Sequence, residues 1–208
     1  MSRPTFLSKE TALQRVRVRL DETVKRSVPC RLLFMILDAH RKNWALVGGA
    51  PRAWATEQPG DPGDLDIVIG GSQEDVDRIV AEWQARLELQ SPTQIDRTRL
   101  GGYRMCAQDI VIDVWAAPST VAIADGRLED SKRFRAVAKS AALSLDSLVY
   151  TSKGTLYEHG FFKTFRTGIL TLNHTRISRP KRMAEKAKRL CATYGLAADL
   201  ALQGLIPS

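Results

Sequence analysis

One stretch of the chain limits its fold more than any other: LVGGAPRAWATEQPGDPGDLDIVI, residues 46–69. An apolar run from Trp44 to Val47 ends in Gly48-Gly49, as a strand entering a tight turn does. Ala50 to Thr56 suits a helix. Residues 57–63, EQPGDPG, can continue neither helix nor strand and predict a loop. Asp64 to Ile69 alternates charged and apolar residues, then runs apolar until Gly70-Gly71 stops it. In an extended strand alternate side chains share a face, so Asp64 and Asp66 lie together and Leu65 turns to the other side.

Two adjacent carboxylates repel each other unless a cation neutralises them or one takes a proton. A hard divalent cation such as Mg²⁺, bound through oxygen, is the usual solution. Asp113 lies in a second apolar run, IVIDVW, where a carboxylate is costly to bury unless paired. If that strand neighbours the first, Asp113 completes a three-carboxylate cluster able to hold two metals about 3.5–4 Å apart. An isolated D-x-D is also an ordinary strand end facing water, and the glycine pair decides between the two. Glycine lets a backbone approach a phosphate, and a helix N-terminus offers free N–H groups. Arg52, about one turn further on, can reach the same phosphates.

Outside this segment, Leu13, Val16, Leu20 and Val24 mark one face of a helix over 9–27, and a second, more buried helix covers 30–42. Ser72 and Asp75 form a capping box ahead of a helix whose face is Val76, Ile79, Val80, Trp83 and Leu87. Tyr103 to Ala107 and Asp109 to Trp115 read as two paired strands. Residues 118–139 are helical pieces and loop, with basic residues at Lys132, Arg133 and Arg135. Leu143 to Tyr150 and Thr155 to Tyr157 predict a hairpin. Residues 180–194 predict a basic amphipathic helix, and a short helix ends near Gly204. The pattern is α/β (α+β): a mixed sheet flanked by helices, with an N-terminal helical extension over 1–42, a catalytic-type domain over 43–175 and a C-terminal helical segment over 176–208.

The formal charge is +8, which favours an anionic partner. It is unevenly spread. Residues 1–42 hold ten basic and four acidic residues, 43–159 twelve and seventeen, and 160–193 nine and one. An acidic centre between basic flanks suits a carboxylate metal site beside phosphate or nucleic-acid contacts; solvated helix faces give the same flanks. Cys30, Cys106 and Cys191 have neither disulfide nor zinc spacing and read as small buried residues. His40, His159 and His174 lack ligand spacing, and the four tryptophans suit packing. Tyr103 and Phe134, beside basic residues, could stack on a base. No signal peptide or membrane-spanning run is visible, so a cytoplasmic location is expected.

The segment around residues 44–69 resembles the head domain of the nucleotidyltransferase superfamily, and most closely the group of poly(A) polymerases and CCA-adding tRNA nucleotidyltransferases. Their pattern is an apolar strand, G-G-x-x-R-D, a loop, D-x-D and an apolar run. Gly48, Gly49, Arg52, Asp64 and Asp66 match; Ala53 replaces the aspartate. Residues 142–172 resemble the family's R-D-F-T-I-N-A-L-x-Y motif and the hairpin, short helix and strand after it. There Leu148 and Tyr150 match, while Ala141 and Ala142 replace the Arg-Asp pair and Asp146 the Asn. KAKRLCATYGL resembles a later family helix at Arg189 and Gly195. The likeness covers residues 40–196.

The resemblance implies a mixed sheet, two Mg²⁺ (or Mn²⁺) ions and a nucleoside triphosphate, ATP or CTP. A hydroxyl attacks the α-phosphorus and pyrophosphate leaves. Asp64 and Asp66 would be catalytic metal ligands, with Asp113 as the third carboxylate and Asp109, four residues earlier on the same face, as the alternative. Gly48, Gly49 and Arg52 would hold the phosphates. Lys181, Arg182, Lys186 and Arg189 form a basic helix face suited to RNA, with a tRNA-like 3′ end as the favoured acceptor; a solvated face is the plainer reading. Asp146 is either a fourth acid near the nucleotide or a polar hairpin residue. A transferase that modifies protein or small molecules, as toxins do, and a catalytically silent RNA-binding protein are the alternatives.

Overall fold

The computed structural model describes residues 7–58, 62–89, 94–107, 110–126, 134–174 and 179–205. Asp109, Lys132 and Arg133 lie outside the described residues, as does the middle of the 57–63 loop.

Two helices come first. α1 (Lys9–Arg26) begins where the Ser8 side chain accepts a hydrogen bond from the Thr11 amide. α2 (Val28–Ala39) starts two residues before the sequence expectation and ends three before it. The cause at its start is Ser27, whose hydroxyl caps the Cys30 amide, with Pro29 in the first turn where its missing N–H is harmless. β1 (Trp44–Val47), α3 (Gly49–Ala55) and β2 (Asp64–Ile69) follow as the spacing predicts. α4 (Gln73–Glu88) carries the Ser72–Asp75 capping box. Next come β3 (Ile95–Arg97), β4 (Tyr103–Cys106) and β5 (Val111–Ala116). The short α5 (Val121–Ala124) and α6 (Phe134–Ser140) lead to β6 (Val149–Thr151) and β7 (Leu156–Tyr157). α7 (Phe161–Thr167), β8 (Ile169–Leu170), α8 (Pro180–Tyr194), β9 (Ala197–Ala198) and α9 (Leu200–Gln203) complete the described chain.

Seven strands form a mixed sheet in the order β3-β4-β5-β2-β1-β6-β7. Only β2 and β5 are parallel within it. A parallel pair needs a crossover, and α4 with the β3–β4 hairpin supplies it. One sheet face is apolar throughout: Leu46, Leu65, Ile67, Ile69, Met105, Ile112 and Val114 are buried under α1, α2 and α4. Ala187 and Leu190 of α8 join the same core, so the terminal helices and the sheet share one interior. On the other face Ala45, Val47, Val68 and Val149 pack against Val137 and Ala138 of α6. That cover reaches only part of the face. The remainder, at the start of β2 and β5, is where the carboxylates stand.

Two expectations change. Leu143 to Asp146 is not strand. Ser144 to Asp146 is a 3-10 turn, with the Ser147 hydroxyl donating to the Ser144 carbonyl at 2.6 Å and the Ser144 and Thr164 hydroxyls 2.6 Å apart. Such local side-chain bonds draw the backbone away from a ladder, and the strand begins only at Val149. Cys106 is exposed rather than buried, because alternation along β4 turns it to the open face with Arg104. Among the described residues no disulfide forms, and no helix is long and apolar enough to cross a membrane.

Candidate active site

The register of three strands builds the centre. Val47 of β1 faces Asp66, Asp66 faces Asp113 across the parallel pair, and Asp113 faces Arg104 of β4. Opposed residues share a face, so Asp66, Asp113 and Arg104 form a row across the open side. Asp64, two residues before Asp66, belongs to the same face, while Leu65 between them is fully buried in the main core.

Gly48 closes the site at the end of β1. Its φ is +76°, and a Cβ there would stand 2.2 Å from Asp66 Oδ2. Only glycine meets both conditions. Gly49 opens α3, and a Cβ on it would lie 3.6 Å from both Asp64 Oδ1 and an Arg52 Nη atom, which places it between those two groups. Arg52 is buried, with its Nε lacking a hydrogen-bond partner. A buried, unpartnered guanidinium N–H is expensive unless an anion completes it.

Asp146 sits on the serine-bent turn before β6. It accepts from Arg52 Nη1, and Lys186 Nζ reaches its other oxygen at 2.7 Å. Lys186 is held there by α8, whose Tyr194 lies within hydrogen-bond distance of Thr56, at 3.2 Å, and packs edge-on to Phe165. The basic residues of α8 divide by helical spacing. Arg182, Lys186 and Arg189 fall on the side that reaches Asp146; Lys181 and Lys188 border a separate cavity with Gly204 and Leu205.

The electrostatics follow from the crowding. Burial, and then repulsion from Asp64 and Asp113, push the Asp66 carboxyl up to about 7, while Lys186 pulls it the other way. A carboxylate so placed calls for a cation. Asp113 has one already: Arg104 grips it with two hydrogen bonds, Nε to Oδ1 at 2.7 Å and Nη2 to Oδ2 at 2.5 Å. With Asp113 so engaged, no group of three acidic, His or Cys side chains among the described residues is gathered as a finished metal cage. Asp64 and Asp66 supply a hard oxygen donor set whose chemistry fits a divalent cation.

The expected residues Gly48, Gly49, Arg52, Asp64, Asp66 and Lys186 thus come together, with Asp113 beside Asp66. Lys181, Arg182 and Arg189 are exposed along α8. Two residues went unassigned in the sequence. For Asp146 the sequence allows two roles, and Ser144 and Ser147 around it are the signal for a turn. Arg104 was missed altogether; opposite charges at alternating positions of two paired strands were its signal.

No protein-family model matches the chain, and no curated protein matches it in sequence. Solved structures do match in fold. A CCA-adding enzyme in complex with CTP superimposes with a TM-score of 0.64 at 17% identity, covering 99% of this chain and 46% of that one. A tRNA nucleotidyltransferase complexed with a primer tRNA and an incoming ATP analogue gives 0.60 at 14%, covering 83% and 48%. A tRNA-processing enzyme complex gives 0.59 at 14%, covering 83% and 44%. The chain therefore has the fold of the nucleotidyltransferase head and spans less than half the length of these structures.

Proposed function

We propose that the protein transfers a nucleoside monophosphate from ATP or CTP to an acceptor hydroxyl, and that the acceptor is RNA, with a tRNA-like 3′ end favoured. One observation carries this: Asp64, Asp66 and Asp113 share the open face of adjacent strands, beside a glycine turn that admits no side chain and a buried arginine with an unfilled N–H. The basic flanks and the Arg182–Lys186–Arg189 stripe suit a phosphodiester backbone. The neighbours captured with CTP, or with primer tRNA and an ATP analogue, support the same substrates.

Arg52 and Lys186 would bind the β- and γ-phosphates, exchanging Asp146 for phosphate oxygens. α3 is only seven residues long, so the burden falls on these cations rather than on a helix end. The acceptor oxygen forms a bond to the α-phosphorus, the bond to the α–β bridging oxygen breaks, and pyrophosphate leaves with that electron pair. The hydroxyl proton passes to an Asp113 carboxylate oxygen. Asp64, Asp66 and Asp113 would hold Mg²⁺ or Mn²⁺, which would supply charge neutralisation and a lowered hydroxyl pKa.

A silent RNA-binding protein is favoured by one feature, the two-pronged grip of Arg104 on Asp113. Labelling decides. The protein is incubated with α-³²P ATP or CTP, Mg²⁺ or Mn²⁺, total RNA and cell lysate. Label is expected in RNA and absent with Asp64→Ala or Asp66→Ala. Label in protein would move the assignment to a protein-modifying transferase, and signal persisting in both variants would remove these carboxylates from the chemistry.

A further inference from the structure

Beyond Asp113, on the side away from Gly48, the open face holds a cavity of about 350 Å³. Trp115, Leu100 and Val121 give it apolar walls, and Thr98, Ser119 and Arg104 stand among its polar lining. It is preformed. The Trp115 indole N–H donates to Thr120 Oγ1 at 3.1 Å, which fixes the ring. The turn carrying Leu100 is tied to α4: Gln73 Nε2 donates to the Gly101 carbonyl at 2.8 Å, and the Tyr103 hydroxyl to Asp77 at 2.9 Å. Gly102 must be glycine for that turn to close, since a Cβ would meet Trp115 Cβ and the Val114 carbonyl oxygen at 2.9 Å.

The same β3–β4 hairpin exposes Arg99 and Arg104, while Arg97 turns to the α4 face, beside Asp77 and over the Tyr103 ring. An apolar slot with an aromatic wall and arginines around it suits a base attached to phosphodiesters, because bases stack while the backbone needs cations. The volume is at the lower end for ligand pockets, so it takes one nucleoside rather than a duplex end. Position adds the decisive point. The phosphate-binding residues Gly48, Gly49 and Arg52 flank Asp66 from the β1 side, and this cavity flanks Asp113 from the β4 side. In-line displacement requires the attacking and leaving oxygens on opposite sides of the phosphorus.

We propose that this cavity receives the unpaired 3′-terminal nucleoside of a single-stranded nucleic-acid acceptor, its base against Trp115, its hydroxyl toward Asp113 and its upstream phosphates on Arg99. The proposal rests on the nucleotidyl-transfer reading of the carboxylate site.

The test uses hexanucleotides, RNA and DNA in separate arms, bearing 2-aminopurine at the 3′ or the 5′ end. Binding should quench the 3′-terminal probe and not the 5′-terminal one. Val121→Phe, which fills the cavity from a part-exposed position, should weaken binding at least tenfold and abolish the quench, with the thermal shift on ATP or CTP unchanged. Trp115→Phe should lose the quench in a folded protein. Arg99→Gln should flatten the slope of log K against log salt by about 0.7. Equal quenching of both ends, or full quenching in Val121→Phe, would overturn the proposal. So would nucleotide transfer to protein in preference to either oligonucleotide. Asp66→Asn should abolish transfer and keep the quench. A wild-type protein that quenches the 3′ probe but transfers nothing would sink the catalytic assignment and leave the nucleoside pocket standing.

Discussion

Asp66 is held in its place by a contradiction: its register position aims it at Asp64 and Asp113, and its burial removes the water that would soften their repulsion. Its carboxyl rises from 3.8 to about 7. Between those values the folded protein keeps a proton that the unfolded chain has lost, so stability falls as pH rises through that window. Lys186 opposes the effect, and Asp146 adds to it. Asp66→Asn should therefore melt several degrees above the wild type at pH 8 and level with it below pH 4, as a pH series of Tm values would read out. Mg²⁺ should raise the wild-type Tm more at pH 8 than at pH 5.5, and the variant's hardly at all. Gly48 crowds the same carboxylate from the β1 side. Gly48→Ala would place a methyl against Asp66 Oδ2 in a backbone conformation, φ +76° and ψ −132°, that is essentially glycine's own, a strain of about 1–3 kcal/mol before the carboxylate moves. A displacement of that kind costs roughly a hundredfold in rate, so labelling of RNA should drop by that order while the protein remains folded by circular dichroism.

At the scale of elements, α4 depends on both halves of its cap: the Asp75 amide donates to Ser72 Oγ at 3.3 Å, and Asp75 accepts from the Ser72 amide at 3.2 Å. Ser72→Ala should cost about 1 kcal/mol in a denaturant titration. The β1–α3–β2 unit was legible in the sequence because its punctuation is strong: two glycine pairs and a proline–glycine loop bound short apolar runs. β3 was not, since Ile95, Asp96 and Arg97 make an edge strand too short to show alternation. The stretch before β6 misled because Leu143, Ser144, Leu145 and Asp146 alternate apolar and polar like a strand, yet Ser144 and Ser147 bend the backbone through their own hydroxyls. Residues of the site that lie within one local pattern, such as Gly48, Arg52, Asp64 and Asp66, could be read off. Asp146 and Arg104 enter through long-range packing and cross-strand register, which a pattern confined to neighbours does not carry.

For the molecule as a whole, the shared interior matters most. Val16 of α1, Leu33 of α2, Ile67 of β2 and Leu190 of α8 belong to one cluster, so the terminal helices should unfold together with the sheet. Leu190→Ala should lower stability by about 2–5 kcal/mol, with tryptophan fluorescence and far-ultraviolet dichroism giving coincident transitions; separate transitions would show that α8 is an independent unit. The parallel pairing of β2 with β5 within the seven-stranded sheet has an effect on biogenesis. A growing polypeptide that has emerged only as far as β3 carries Asp64 and Asp66 without the strand that brings Asp113, and pairing at such sequence separation forms slowly. The carboxylate row is thus completed in one late closure, and under the proposed reading a half-made chain on the ribosome could not yet spend triphosphate.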